Sequence, residues 1–542
     1  MSPVWLLADV GPLIPGFDPV TGSYLAAGLI IAVVLVASRT LSRRTGIPTP
    51  VFLVVAGGAV SFVPQMGTIE LSPRVVFLGF LPPLVYHAGL VTSPRELRTN
   101  ALPIGLGALG LVLATTFAVA GVAWAVVPSL GWVGAFVLGS VVAPTDPVAA
   151  TSVFNRLGAA RSVTTILEGE SLVNDGVALA LFTLGVAAVA TPTGFGGGLV
   201  AFVRVAGGGT AFGLVVGWLA GRIRRPLSDP ASQIVVSLLV PFAAYIPADA
   251  FGLSGVLATL ATGLVLGQQP MSALEPSGRI RMAEFWQVLV FLLESVLFVL
   301  VGLQLRRLVD AIASKTVGEV ALLAALSVVV VVVVRIGWWL AIPTVRWRPE
   351  GRLVDTGGVP WQERLALGWC GLRGAISLAA ALSIPAAVSG HVFPGRDLII
   401  FTTFCVVVAT LVGQGTTLAW LLRRLGLVSS TAELHQRALA QRRCAEGALR
   451  LLDQLAAEEE VSDDVAEWLR ERYERRLEQA RTAGTEPGGP PGAARSPRAV
   501  ERRLLLAQHE ILEELHRAGE ISFTIMRDVR RELDLEHARY EV

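Results

Sequence analysis

Between residues 24 and 422 the chain is a succession of apolar stretches, and their length constrains the fold more tightly than any other feature. A membrane-spanning helix needs about 20 predominantly apolar residues. That length picks out thirteen stretches: 24–41, 48–64, 74–91, 101–127, 131–154, 166–190, 197–221, 231–247, 250–267, 285–305, 318–343, 363–388 and 397–422. In hydrocarbon every backbone amide and carbonyl must be satisfied within the protein, and stretches of this length achieve that as helices. Composition agrees. Of the 542 residues 53% are hydrophobic and 16% charged, with a mean hydropathy of +0.63, whereas a soluble domain carries about 25% charged residues. The charge is dense in 431–542, so the net +2 says little about partners. A membrane region over 24–425 followed by a soluble tail over 426–542 accounts for the imbalance; a soluble enzyme does not.

Loop charges orient the spans, because cytoplasmic loops carry the excess of arginine and lysine. Alternate loops beginning after the first span hold 18 arginines, from Arg39, Arg43 and Arg44 to Arg423 and Arg424. The opposite set holds 5 basic residues: Arg74, Arg306, Arg307, Lys315 and Arg396. This asymmetry predicts thirteen spans with segment 1–23 outside the cell membrane and the tail in the cytoplasm. The first residues, Met-Ser-Pro-Val-Trp, lack the basic region and cleavage site of a removable signal peptide. Cys370, Cys405 and Cys444 show neither metal-ligand spacing nor a paired framework. In the tail, amphipathic helices are expected over 431–459 and 462–482, the second capped near Ser462. Residues 484–497 read as a flexible Gly/Pro linker, and helical patterning resumes over 498–537. The tail is either a solvated appendage or a regulatory or assembly element; no phosphate-binding loop appears in it, and no cofactor or nucleic-acid partner is expected.

The chemistry is concentrated in the sixth stretch, Glu168-Gly-Glu170-Ser171-Leu-Val-Asn174-Asp175. Ionisable groups inside a bilayer are costly and mark functional sites by default. At helical spacing Glu170 lies above Asn174 and Ser171 above Asp175, in two rows about 100° apart. One row can face a neighbouring helix and the other a cavity. Carboxylate and hydroxyl oxygens suit a hard monovalent cation, and no Cys or His cluster suggests a transition metal. In the fifth stretch, Ala143-Pro144-Thr145-Asp146-Pro147 places two prolines three apart, which must break or kink a helix. Irregular backbone survives in a membrane only where it is buried in protein or lines a cavity. The break frees carbonyls, that of Thr145 included, beside Asp146. The twelfth stretch has a second interruption, Gly371-Leu-Arg373-Gly374, whose buried arginine demands a carboxylate; Glu170 is the expected partner.

The two breaks are seven spans apart, an odd offset that inverts one relative to the other. This is the pattern of inverted-repeat transporters, with spans 1–6 mirrored by 8–13 and a site between them. The same offset pairs the third span, carrying His87, with the tenth, carrying Glu294. His87 reads as a satisfied interior histidine or a ligand; Glu294 as a lining residue of the route or a partner of Arg335. Arg204 is left unassigned.

Taken together these motifs resemble the monovalent cation:proton antiporter-1 family, over essentially residues 20–425. The resemblance implies an all-α polytopic membrane protein with two inverted six-helix repeats, two broken crossing helices and a helical cytoplasmic tail. It implies a secondary antiporter, with 24–425 as the antiporter domain, exchanging Na+, or K+ or Li+, for H+ as a homodimer. By resemblance Asp175 binds cation or proton in competition, Ser171, Asp146 and the Thr145 carbonyl contribute ligands, and Glu170 with Arg373 forms a scaffold ion pair beside Asn174. The Asn-Asp pairing implies electroneutral exchange. The sequence departs at His87, where several members carry an acidic residue. A cation channel, or a non-transporting sensor signalling through the tail, is the alternative.

Overall fold

The computed structural model describes residues 19–62, 75–92, 97, 101–157, 161–190, 194–227, 229–268, 276–312, 317–341, 346–347, 353–354, 360–427, 431–457 and 463–483. The chain divides into two compact units, Met1–Ser430 and Thr431–Val542. Most of the expected extracellular segment 1–23, the linker 484–497 and the helical pattern over 498–537 lie outside the described residues.

Among the described residues the first unit is almost wholly helical. In chain order its helices are α1 (Pro19–Thr45), α2 (Thr49–Val60), α3 (Val76–Val91), α4 (Ala101–Val126), α5 (Gly131–Val142), α6 (Val148–Leu157), α7 (Arg161–Ala187) and α8 (Phe195–Arg224). They continue as α9 (Pro230–Ala250), α10 (Gly255–Gly267), α11 (Pro276–Leu303), α12 (Leu305–Ile312), α13 (Val317–Ala341), α14 (Trp361–Trp369), α15 (Ala375–Leu382) and α16 (Arg396–Arg424). Seven of the described helices are long and apolar enough to cross a membrane; those at Thr49–Val60, Val76–Val91, Pro128–Val142 and Gly255–Gly267 are shorter.

Where the sequence predicts one interrupted span it yields two half-helices. Pro144 and Pro147 separate α5 from α6, and residues 370–374 separate α14 from α15. The structure adds elements that hydropathy does not predict: the short helix α12 after the tenth stretch, and two small antiparallel hairpins, Arg346–Trp347 with Leu353–Val354 and Ala387–Val388 with His391–Val392.

The helices pack mainly as two groups. α4, α5 and α7 pack together, α13 packs on α4 and α14, and α16 packs on α5, α6 and α15. In the other group α2 lies along α11, α3 along α10, and α10 against α8 and α9. The largest buried apolar cluster runs through the first group, with Leu138, Val141, Leu367, Leu372, Leu378 and Val407 among its members. Outward faces are apolar as well: Val33, Val36, Val215, Trp218 and Leu219 are each more than half exposed. Contiguous exposed apolar surface on this scale marks contact with lipid or another protein. In the second unit α17 (Thr431–Ala457) and α18 (Asp463–Ala483) form a helical hairpin around Ala445, Leu452 and Ala466. Arg470 and Asp453 bridge its surface at 2.7 Å, an exposed pair that contributes little because water screens it.

Candidate functional site

The two breaks meet. The Asp146 amide donates to the Leu372 carbonyl at 2.8 Å, so the extended segments lie side by side. Asp146 also opens α6: its Oδ1 accepts from the Val148 amide at 2.9 Å. The missing amide of Pro147 costs nothing at a helix start, where it would have no intrahelical partner. Gly374 lies directly against Asp146, and a Cβ there would overlap Asp146 Oδ2, Cγ and Cβ. Its backbone is extended, with φ −109° and ψ −172°, so glycine is required here by space and not by conformation.

The fifth and sixth stretches are joined through Thr145. The Ser171 hydroxyl donates to the Thr145 carbonyl at 2.7 Å, and Asn174 Nδ2 donates to Thr145 Oγ1 at 2.7 Å. Thr145 Oγ1 reaches Glu170 Oε1 at 3.5 Å. The α7 rows separate as helical geometry predicts. Ser171 and Asp175 line a cavity, whereas Glu170 and Asn174, each 1% exposed, point into the helix packing.

That cavity has a volume of about 460 Å3. Its floor is Thr145, Asp146, Ser171 and Asp175; α3 supplies one wall through His87 and α11 another through Glu294. Glu168 also lines it, and among the described residues no arginine or lysine does. Among the described residues neither a hydrogen bond nor an ion pair engages the Asp175 carboxylate. A second cavity, of about 800 Å3, is lined by Phe77, Thr183, Tyr245, Asp249 and Ser383 and does not reach Asp146 or Asp175. One apolar cluster (Leu81, Val85, Leu172, Tyr245, Val256, Leu257 and Leu260) borders both. The polar floor thus lines the first of these two cavities and not the second.

A family-wide sequence model described as sodium/hydrogen exchanger, transmembrane matches residues 29–424. The chain belongs to this family. It is 34% identical over 528 residues to an uncharacterized Na+/H+ exchanger of Mycobacterium tuberculosis, covering 95% of this chain and 96% of that one. It is 32% identical to the low-affinity Na+/H+ antiporter NhaS1 of Synechocystis, covering 82% and 83%. The fold matches that of the sodium proton antiporter MjNhaP1 from Methanocaldococcus jannaschii with a TM-score of 0.57 at 17% identity, over 74% of this chain and 99% of that one.

In this exchanger the scaffold ion pair differs from the expected one. Glu170 pairs with Arg335 of α13, not with Arg373: Arg335 Nη1 and Nη2 donate to Oε1 and Oε2 at 2.5 and 3.0 Å. Arg335 Nε donates to the Leu367 carbonyl at 3.2 Å, and Gly371 leaves room for the arginine side chain. The fork–fork geometry explains the choice, because a guanidinium gains most from a carboxylate it can meet with two parallel bonds. Arg373, 1% exposed, instead folds back so that Nη1 donates to the Gly371 carbonyl at 3.0 Å; its amide donates to Thr410 Oγ1 at 3.1 Å, and its buried Nε has no hydrogen-bond partner among the described residues. The possible Glu294–Arg335 pair is excluded for the same reason. Glu294 lines the cavity with Asp146 and Asp175, and His87 lines it too, its ring stacked on Trp286 at 5.5 Å and 23°. The readable signal for Arg335 was a lone charge after seven consecutive valines; nothing local named its partner.

Proposed function

We propose that this chain is a secondary active antiporter that exchanges a monovalent cation, Na+ foremost and K+ or Li+ as alternatives, for H+ by competition at Asp175. The observation that carries this reading is the Asp175 carboxylate on the cavity floor beside the crossed breaks, with no hydrogen bond or ion pair among the described residues. A carboxylate that cannot be neutralised by the protein is neutralised by what enters the cavity: a proton or a cation, not both. Asp146 and Ser171 are the neighbouring oxygen ligands. The Thr145 carbonyl, which already accepts from Ser171, retains a second lone pair for a cation. Asn174 is committed to Thr145 and carries no charge, so Asp175 is the member of its pair that exchanges a proton for a cation; one-for-one exchange is what the resemblance to the family implies for an Asn-Asp pair.

The cavity is bordered by Thr92, Thr151 and Glu168, each near an arginine-rich loop. With those loops in the cytoplasm, the site faces inward, the N-terminus lies outside and the tail inside the cell membrane. The apolar layer between the cavities favours alternating access over a channel, which needs a continuous hydrated path. A homodimer built beside a moving core of α4–α7 and α13–α16, from two inverted repeats of about thirteen spans, completes the reading.

Proteoliposomes test it. Lumenal pH is followed while an opposed Na+, K+ or Li+ gradient is imposed between pH 6 and 9. An antiporter moves protons only in answer to the opposed cation gradient; passive cation conductance without coupled proton movement would replace this reading with the channel. Gly374→Ala gives a second check. Its Cβ would displace Asp146, and the initial exchange rate should fall about tenfold or more while the protein still elutes as a folded species. A wild-type rate would mean that the crossing is not tightly packed.

A further inference from the structure

We infer that Glu294 is a staging ligand for the transported cation, holding it on the cavity wall before it reaches Asp175 and so setting the cation concentration at which exchange half-saturates. The inference rests on the antiporter reading above.

Val290, Glu294, Leu297 and Phe298 line the cavity from α11. They recur at i, i+4, i+7 and i+8, which is one face of a helix. Glu294 is the polar member of that stripe. Among the described residues its carboxylate makes neither a hydrogen bond nor an ion pair, and Arg335 is already bound to Glu170 through both nitrogens. Among the described residues no arginine or lysine lines the cavity: α3 contributes His87, the residue after α3 is Thr92, the first break gives Thr145 and Asp146, α6 Thr151, α7 Glu168, Ser171 and Asp175, and the second break Gly374 and Ser377. The nearby Arg39 guanidinium is seated on the Phe291 ring at 4.7 Å.

A carboxylate at this depth is retained only where something compensates its charge. Among the described residues the protein supplies no such charge, so the compensating charge is a mobile one. The chemistry that fits is a hard, partly hydrated monovalent cation, because the surrounding donors are carboxylate and hydroxyl oxygens. His87, which lines the cavity from α3, does not serve in the same way. Its ring is held against Trp286, eight residues before Glu294 on α11, and an imidazole brings no negative charge to the cavity. Asp146, Asp175 and Glu294 thus line one cavity as carboxylates, and among the described residues no arginine or lysine lines it. Clefts of one charge sign with low-dielectric walls raise the local concentration of their counter-ion.

The test is the cation dependence of the exchange rate in proteoliposomes, with full-length wild type and Asp175→Asn in the same preparation and NaCl as the probe. Glu294→Gln keeps the shape and removes the charge. Its apparent KM for Na+ should rise about tenfold with Vmax within twofold of wild type. Glu294→Asp, which keeps the charge, should hold KM within threefold and covers the case in which the glutamine variant does not fold. An unchanged KM in Glu294→Gln, a fall in Vmax at constant KM, or a tenfold rise in KM for Glu294→Asp would each overturn the inference. If the wild type itself shows no cation-coupled proton movement, the antiporter reading fails; if it does and only the KM shift is missing, the staging role alone fails.

Discussion

Asp175→Asn should abolish cation-coupled proton movement while leaving a protein that folds and inserts as well as wild type. Asparagine has the shape of aspartate but can neither bind a proton at working pH nor carry the charge a cation needs. The substitution removes no internal contact, because the Asp175 carboxylate lines the cavity without a hydrogen-bond partner among the described residues. Desolvated carboxylates are a burden to a fold, costing roughly 2.5–3.5 kcal/mol at the centre of a bilayer on insertion scales. Thermal stability should therefore hold or rise. Two measurements on one preparation separate function from folding: proton movement against an opposed Na+ gradient, and the unfolding midpoint in detergent. Robust cation-dependent proton movement in this variant would end the assignment of Asp175. A collapse of the midpoint would show that the carboxylate holds the fold together, contrary to its position on the cavity floor.

The largest stability effect should come from Arg335→Ala. Arg335 and Glu170 are 0% and 1% exposed and meet through two charge-assisted bonds. Removing one partner leaves the other buried and uncompensated, which costs about 3–5 kcal/mol. Arg373→Ala removes the same guanidinium from an equally buried position, yet what it loses is the bond from Nη1 to the Gly371 carbonyl. The cost there should be about 1.5–3 kcal/mol, the range for hydrogen bonds to charged groups. The ranking is the test. Unfolding midpoints of both variants, with Glu170→Gln combined with each, form two double-mutant cycles. Coupling of Glu170 should be strong with Arg335 and weak with Arg373. The opposite order would restore the pairing that spacing alone suggests.

Much of the architecture is legible in the residue string because it depends on local rules. Hydropathy over about 20 residues locates the apolar helices, and Pro144 with Pro147 breaks a helix wherever the segment is placed. The α7 rows follow from helical pitch alone: Ser171 with Asp175 toward a cavity, Glu170 with Asn174 toward protein. Even Asp146 at the start of α6 obeys a local preference, since aspartate caps helix N-termini. Less regular features escape such rules. The helix Leu305–Ile312 is too short for a hydropathy window, and the hairpins join residues whose pattern carries no strand signal.

By itself the sequence determined that the chain is a bundle of membrane helices with two breaks and a carboxylate cluster, because each of these follows from pitch, span length or proline stereochemistry within one segment. Which arginine meets Glu170 was decided only by the tertiary structure. Arg335 and Arg373 carry the same local signal, a single guanidinium in an apolar segment. Helical periodicity fixes a side chain's direction about its own axis but not the rotation of one helix against the next. Packing of α13 on α4 and α14 brings Arg335 into bidentate reach of Glu170 across 165 residues, and in the irregular segment 370–374 Arg373 folds back to the Gly371 carbonyl. The tertiary packing also brings Glu294 and His87 to one cavity with Asp175, a convergence of three distant segments that no reading of any one of them contains.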